Sequence, residues 1–307
     1  MRVDLSVQIG KLKLKNPVMV ASGTFGYAEE FKDFINLKKL GAMVTKTVTL
    51  KPRRGNLPPR TCETPSGMLN SIGLENPGLE VFLKDKLPFL KKLGVPIIMS
   101  IASEDDPKEF IELAKRLNSI STVAALELNI SCPNVIGQRF LISQDYEATY
   151  RAVSSVRKVT SKTLITKLSP NVTCISELAR AAQSAGSDAV ALVNTLSGMS
   201  INIENKRPKL AAVIGGLSGP AIRPVALKMV WEAYNKIKIP IIGMGGIIDT
   251  LSALEFFIAG ASAISIGTAN FINPRVSIEV IAGLSEYLKR KKMKKINDLT
   301  GSLIDES

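Results

Sequence analysis

A (β/α)8 barrel, the TIM-barrel form of the α/β class, is the fold this sequence of 307 residues predicts, and three observations predict it. Eight short β-rich runs alternate with amphipathic helical segments along the chain. The length suits eight such repeats with two long insertions. Each apolar run stops abruptly at small or polar side chains, as strands do where they open into loops at the mouth of a barrel.

The candidate strands, in order, are Val18–Ala21, Ala42–Thr47, Pro96–Ile101, Ala124–Ile130, Thr163–Leu168, Ala189–Asn194, Pro240–Met244 and Ala263–Ile266. Helical spacing of apolar residues follows near Ala28–Leu40, Leu79–Leu93, Pro107–Asn118, Asp145–Thr160, Val172–Ala185, Pro220–Ile237, Thr250–Ala259 and Pro274–Arg290. A doubly wound open sheet is the competing arrangement. It is weakened because no Gly-x-Gly-x-x-Gly follows the first run, which leaves a dinucleotide crevice without support. Residues 1–307 read as a single domain.

Composition narrows the chemistry. The chain contains no histidine, which excludes Ser-His-Asp and Cys-His catalysis and removes the commonest metal ligand. Its three cysteines, Cys62, Cys132 and Cys174, are far apart and form no Cys-x-x-Cys pair, so no disulfide framework, zinc site or iron–sulfur site is indicated. A reducing, cytoplasmic setting is expected, with neither a membrane-length apolar stretch nor a signal-peptide core at Met1-Arg2-Val3-Asp4. The net charge is +13, and many of the lysines sit in short helical runs such as Lys38-Lys39, Lys91-Lys92 and Lys289 to Lys295. No aromatic platform or nucleic-acid motif accompanies them, so they read as a solvated basic surface.

The ends of the strands become neighbours in a barrel, and here they carry Ala21-Ser22-Gly23, Lys46-Thr47, Ser100, Asn129 with Cys132, Lys167, Asn194-Thr195, Gly245-Gly246 and Gly267-Thr268. Two lysines, several amides and one thiol describe a mouth for a polar, electron-rich ligand. A cysteine can simply be a small core residue. Cys132, however, follows an apolar strand among Asn129, Ser131 and Asn134 and precedes Pro133, which stops the strand. It is the candidate reactive group. The glycines after the last two strands suit a cradle of backbone N–H groups around phosphate. A phosphate anchor with a polar ring site fits flavin mononucleotide (FMN), and a sugar phosphate fits it equally well. The insertions 49–78 and 197–219 both leave strand ends, so both should overhang the same mouth as a lid or a partner surface. Asn70, in the first, is placed to reach a ligand.

Taken together, the segments Asn16-Pro-Val-Met-Val-Ala-Ser-Gly-Thr-Phe-Gly, Thr45-Lys-Thr-Val-Thr, Glu63-Thr-Pro-Ser-Gly-Met-Leu-Asn-Ser-Ile-Gly-Leu, Asn129-Ile-Ser-Cys-Pro-Asn, Lys167-Leu-Ser-Pro-Asn and Gly215-Gly-Leu-Ser-Gly-Pro-Ala-Ile-Arg-Pro resemble the class 1 dihydroorotate dehydrogenases. The Gly-Gly-Leu-Ser-Gly-Pro-Ala and Gly-Met-Gly-Gly segments are most similar to the class 1B, NAD-linked catalytic subunit. The resemblance implies oxidation of dihydroorotate to orotate in pyrimidine (UMP) biosynthesis. Cys132 would remove the C5 proton while the C6 hydride passes to FMN, one per chain. The substrate site it implies is Lys46, Asn70, Ser71, Ile72, Gly73, Leu74, Asn129, Asn134, Asn194 and Thr195. The FMN site it implies is Ser22, Lys46, Thr47, Ser100, Asn129, Lys167, Val193, Gly219, Gly245, Gly246, Gly267 and Thr268, with Lys167 balancing negative charge on the ring.

The resemblance also implies a homodimer joined by an electron-transfer subunit in a heterotetramer, FAD and a [2Fe–2S] cluster being expected only on that partner. Neither nucleic acid nor membrane is implied as a partner. Two departures stand out. Ser100 occupies a position usually held by asparagine, and Val-Ile-Gly-Gln-Arg-Phe follows Asn134 in place of a lysine- and glycine-rich loop. The competing readings are another FMN barrel acting on pyrimidines, of the dihydropyrimidine dehydrogenase type, and a barrel kept as a non-catalytic subunit.

Overall fold

The structure is a computed structural model and describes residues 2–103, 108–131 and 142–305. Val18–Val20, Ala42–Val44, Ile97–Ile101, Val123–Asn129, Thr163–Lys167, Ala189–Leu192, Ile241–Gly243 and Ala263–Ile266 are parallel strands, one within or nearly coincident with each predicted run. They close into a barrel in sequence order. Closure is made by the eighth strand pairing with the first, Ile264 opposite Val18, Ser265 opposite Met19 and Ile266 opposite Val20. Parallel strands wrapped by helices are covered on both faces, which is why these runs read as continuous apolar sequence. Every residue of Ile97–Ile101 and of Thr163–Lys167 is buried.

The outer helices Lys108–Asn118, Tyr146–Arg157, Ile175–Ser184, Arg223–Tyr234, Thr250–Ala259 and Val276–Arg290 fall within the expected segments. The segment expected to be helical over 28–40 is a correction. It forms only two 3-10 turns, Glu29–Phe31 and Leu37–Lys39. Ala28 takes a left-handed conformation at φ 71° and Asn36 an extended one, so neither can propagate a helix. Stacking of Phe25 on Phe31, centroids 3.7 Å apart, fills the wall in its place. The helix expected at 79–93 is present with a widened π turn at Phe82–Lys86. Pro88 explains it, because proline offers no N–H and its ring crowds the carbonyl four residues earlier.

The bottom of the barrel is covered by an N-terminal hairpin, Val7–Ile9 paired with Leu12–Leu14, which the periodicity did not reveal. Val7, Ile9 and Leu14 are buried there. Lys11 N–H donates to Thr163 Oγ1 at 2.9 Å, and Arg157 pairs with Asp188 at 2.9 Å beside it. The opposite, C-terminal end is covered by the two insertions. Thr61–Thr64, Gly67–Asn70, Ile214–Ser218 and Leu196–Met199 form one antiparallel sheet, with Leu69 opposite Leu217 and Asn70 opposite Gly216. Among the described residues no helix is long and apolar enough to cross a membrane.

Candidate active site at the barrel mouth

A cavity of about 310 Å³ opens between the strand ends and the insertion sheet. Strand geometry decides which side chains reach it. Alternate residues point inward, so Asn129 on the fourth strand and Lys167 on the fifth, which face each other in register, both line it. Of the residues expected in the site, Ser22, Lys46, Thr47, Asn70, Ile72, Gly73, Leu74, Asn129, Lys167, Val193, Asn194, Thr195, Gly219, Gly245, Gly246, Gly267 and Thr268 line this one cavity. Ser71 and Ser100 do not. Ser71 is fully buried behind the wall, where its N–H donates to the Arg60 carbonyl at 2.7 Å. Ser100 is likewise buried, with its hydroxyl 2.9 Å from Thr47 Oγ1. Cys132 and Asn134 lie outside the described residues.

Behind the wall runs a chain of polar contacts across four strands. The Ser100 and Thr47 hydroxyls share a hydrogen bond, and Asn129 Nδ2 donates to Thr47 Oγ1 at 3.2 Å. Ser131 Oγ then donates to Asn129 Oδ1 at 3.1 Å, and Asn194 Nδ2 donates to Ser131 Oγ at 2.9 Å. Buried amides and hydroxyls are costly without partners, so this network fixes the orientation of Asn129 and Asn194. It also pins Ser131, the residue immediately before Cys132. Asn171 extends the support by donating to the Thr195 carbonyl at 3.0 Å.

Lys167 is only 5% exposed, yet among the described residues its ammonium has a single long contact, 3.4 Å to Ser22 Oγ. No carboxylate pairs with it or with Lys46 among the described residues. A buried cation without a counter-charge is unfavourable unless a ligand brings the anion. Electrostatics therefore select a ligand with negative or electron-rich groups.

The glycine loops divide into two kinds. Gly246 has φ +77°, and a Cβ there would sit 2.7 Å from Arg223 Cβ and 2.9 Å from the Gly219 carbonyl, so the backbone itself requires glycine. At Gly267 a Cβ would meet nothing nearer than 3.7 Å. Protein packing therefore does not demand that glycine. Its missing side chain leaves space and backbone access on the cavity side, as a phosphate cradle needs. Thr268 Oγ1 donates to Ser218 Oγ at 2.8 Å and joins this cradle to the insertion sheet.

Sequence reasoning did not select Ser131, Asn171, Ser218 or Ser265 as site residues. Ser131, Asn171 and Ser218 stand within the quoted motifs, one to four residues from selected positions, which is the signal that could have found them. Ser265, two residues before Gly267, lies inside the last apolar run and in none of the quoted motifs.

The fold and the pocket thus define a class: a (β/α)8 barrel whose mouth combines two lysines that pair with no carboxylate among the described residues, ordered asparagines and glycine loops after the last two strands. The chain belongs to the dihydroorotate dehydrogenase family, whose sequence profile matches residues 4–288. It is 51% identical over 303 residues, 99% of each chain, to a Trichlorobacter lovleyi protein named dihydroorotate dehydrogenase B (NAD(+)), catalytic subunit. Proteins of the same name from Thermoanaerobacter pseudethanolicus and Caldicellulosiruptor bescii are each 50% identical over 301 residues, covering 98% of this chain and 99% of the relative. The similarity is thus to class 1B.

Proposed function

We propose that this chain is the catalytic subunit of a class 1B dihydroorotate dehydrogenase, oxidising dihydroorotate to orotate in pyrimidine biosynthesis. The observation that carries the reading is the convergence of Lys46, Asn129, Lys167 and Asn194 on one cavity beside the glycine cradle. The residues present fit FMN: the space at Gly267 suits its phosphate, and the buried Lys167 ammonium suits a ring that would gain negative charge on reduction. Bound there, FMN supplies the hydride acceptor.

The chain's own groups do the rest. Asn70, Asn129, Asn194 and Thr195, with Asn134, hold the pyrimidine ring and its carboxylate, and Lys46 neutralises charge at the same edge. Ile72, Gly73 and Leu74 close over the substrate, while Ser71 supports that loop from behind. Ser22, Thr47, Val193, Gly219, Gly245, Gly246, Gly267 and Thr268 hold the cofactor, and Ser100 acts on it through Thr47. Cys132 takes the proton from C5 while the hydride leaves C6, which creates the C5–C6 double bond of orotate. Because a free thiol has a pKa of about 8.5, Cys132 works as a base only as its thiolate. The pinned neighbour Ser131 supports this assignment by fixing the chain where it enters that segment.

A second subunit carrying FAD and a [2Fe–2S] cluster would take up the two electrons and pass them to NAD, in a cytoplasmic heterotetramer. The exposed Met199, Ile201, Ile203 and Ile214 of the second insertion favour that region as the contact between two copies of the chain. The deciding experiment is anaerobic addition of dihydroorotate to the purified, FMN-loaded chain. Loss of the visible flavin absorption with formation of orotate is expected. Failure to bind FMN, or an unchanged spectrum, overturns the reading.

A further inference from the structure

One buried group in the cavity has no role in the chemistry above. Ser265 lies on the eighth strand opposite Met19 and is 1% exposed. Its hydroxyl is buried without a hydrogen-bond partner among the described residues, and the residue lines the cavity. A hydroxyl shut away from solvent with nothing to bond is disfavoured, and an alanine would serve the packing as well. The place it occupies is specific. Ser265 stands two residues before Gly267 of the cradle, on the inner face of the barrel, while Asn129 and Lys167 lie across the mouth on the fourth and fifth strands. This face lies between the cradle and the lysines, along the way a chain connecting a phosphate at the one to a ring at the other would take.

We propose that the Ser265 hydroxyl is a further binding group, hydrogen-bonded to a hydroxyl of the polyol chain that links phosphate to ring. A hydroxyl suits such a partner because it can both donate and accept. The inference rests on the FMN reading and deepens it.

The test uses the full chain freed of flavin, with two probes followed by quenching of flavin fluorescence: FMN, and an isoalloxazine carrying a phosphopentyl chain without the hydroxyls. Ser265→Ala is expected to weaken FMN binding by roughly 3- to 10-fold and to leave the analogue within about 2-fold of wild type. The flavin-free variant should melt at or above the wild-type temperature, since an unpaired buried hydroxyl has been removed. Unchanged FMN affinity overturns the proposal. So does equal loss with both probes, or a lower melting temperature in the flavin-free state, which would make the hydroxyl a support of the fold. Ser265→Cys, close in volume but poor in hydrogen bonding, gives the same discrimination if the alanine variant does not fold. Failure of the wild type to bind FMN at all would defeat the parent reading, whereas tight wild-type binding with an indifferent Ser265→Ala defeats this one alone.

Discussion

Lys167→Met is expected to weaken FMN binding by about 10- to 100-fold, the range for losing a charge-assisted hydrogen bond, without lowering the stability of the flavin-free chain. The reason is its buried ammonium, which meets only Ser22 Oγ, at 3.4 Å, among the described residues. Fluorescence titration and thermal melting separate the two effects. Cys132→Ala should still take up FMN but slow dihydroorotate-driven bleaching by at least ~100-fold, as removal of a general base does. In the wild type the bleaching rate should climb with pH through the thiol range, and stopped-flow absorbance across that range checks it. Lys46, Asn129 and Lys167 were legible because each interrupts an apolar run at its end. Ser100 was selected as a ligand contact but backs the wall instead, and Ser265 was not selected at all. In a strand buried on both faces the alternation that tells inside from outside is erased, so sequence gave no sign that one serine backs the wall and the other forms it.

Among the elements, the helix Thr250–Ala259 that follows the cradle depends on its N-terminal cap. Asp249 accepts from Ser252 N–H at 2.7 Å and from Ser252 Oγ at 2.7 Å, while Ser252 Oγ accepts from Asp249 N–H at 3.0 Å. Burial raises the pKa of Asp249. The Ser252 hydrogen bonds, with the Arg223 charge, outweigh it and hold the carboxyl below its ordinary value. A carboxylate depressed in the folded state contributes stability above its unfolded pKa and loses it as pH falls through the folded one. Asp249→Ala should therefore cost about 0.5–2 kcal/mol at neutral pH, with a smaller deficit in acid, and Asp249→Asn should recover most of the cap. Chemical denaturation at both pH values reads this out. This helix matched its expected boundaries because aspartate, serine and the closing Gly260 mark both ends. The segment 28–40 misled because its apolar spacing carries no information about the left-handed Ala28 that breaks it. The N-terminal hairpin does alternate, Val7-Gln8-Ile9 against Leu12-Lys13-Leu14, but at three residues per strand the pattern is too brief to stand out.

For the whole molecule, the barrel was legible as eight repeats, and the insertions as a lid, but their pairing into one sheet was not. Strand pairing between residues near 70 and near 216 is a long-range event that local pattern does not encode. With the electron-transfer partner absent, the purified chain should bleach with dihydroorotate and reduce an artificial dye, yet form no NADH. Substantial NADH formation by the chain alone would count against the two-subunit scheme.

The roof over the mouth is stitched at several points: Thr268 to Ser218, Ala221 N–H to the Ser66 carbonyl, and Ala211 N–H to the Pro59 carbonyl. If a prosthetic group anchored beneath such seams leaves only when they part, local breathing of the sheet sets its residence time together with the group's own contacts. Chase of a radiolabelled flavin with unlabelled excess should then keep pace with deuterium uptake at the amides of residues 214–218.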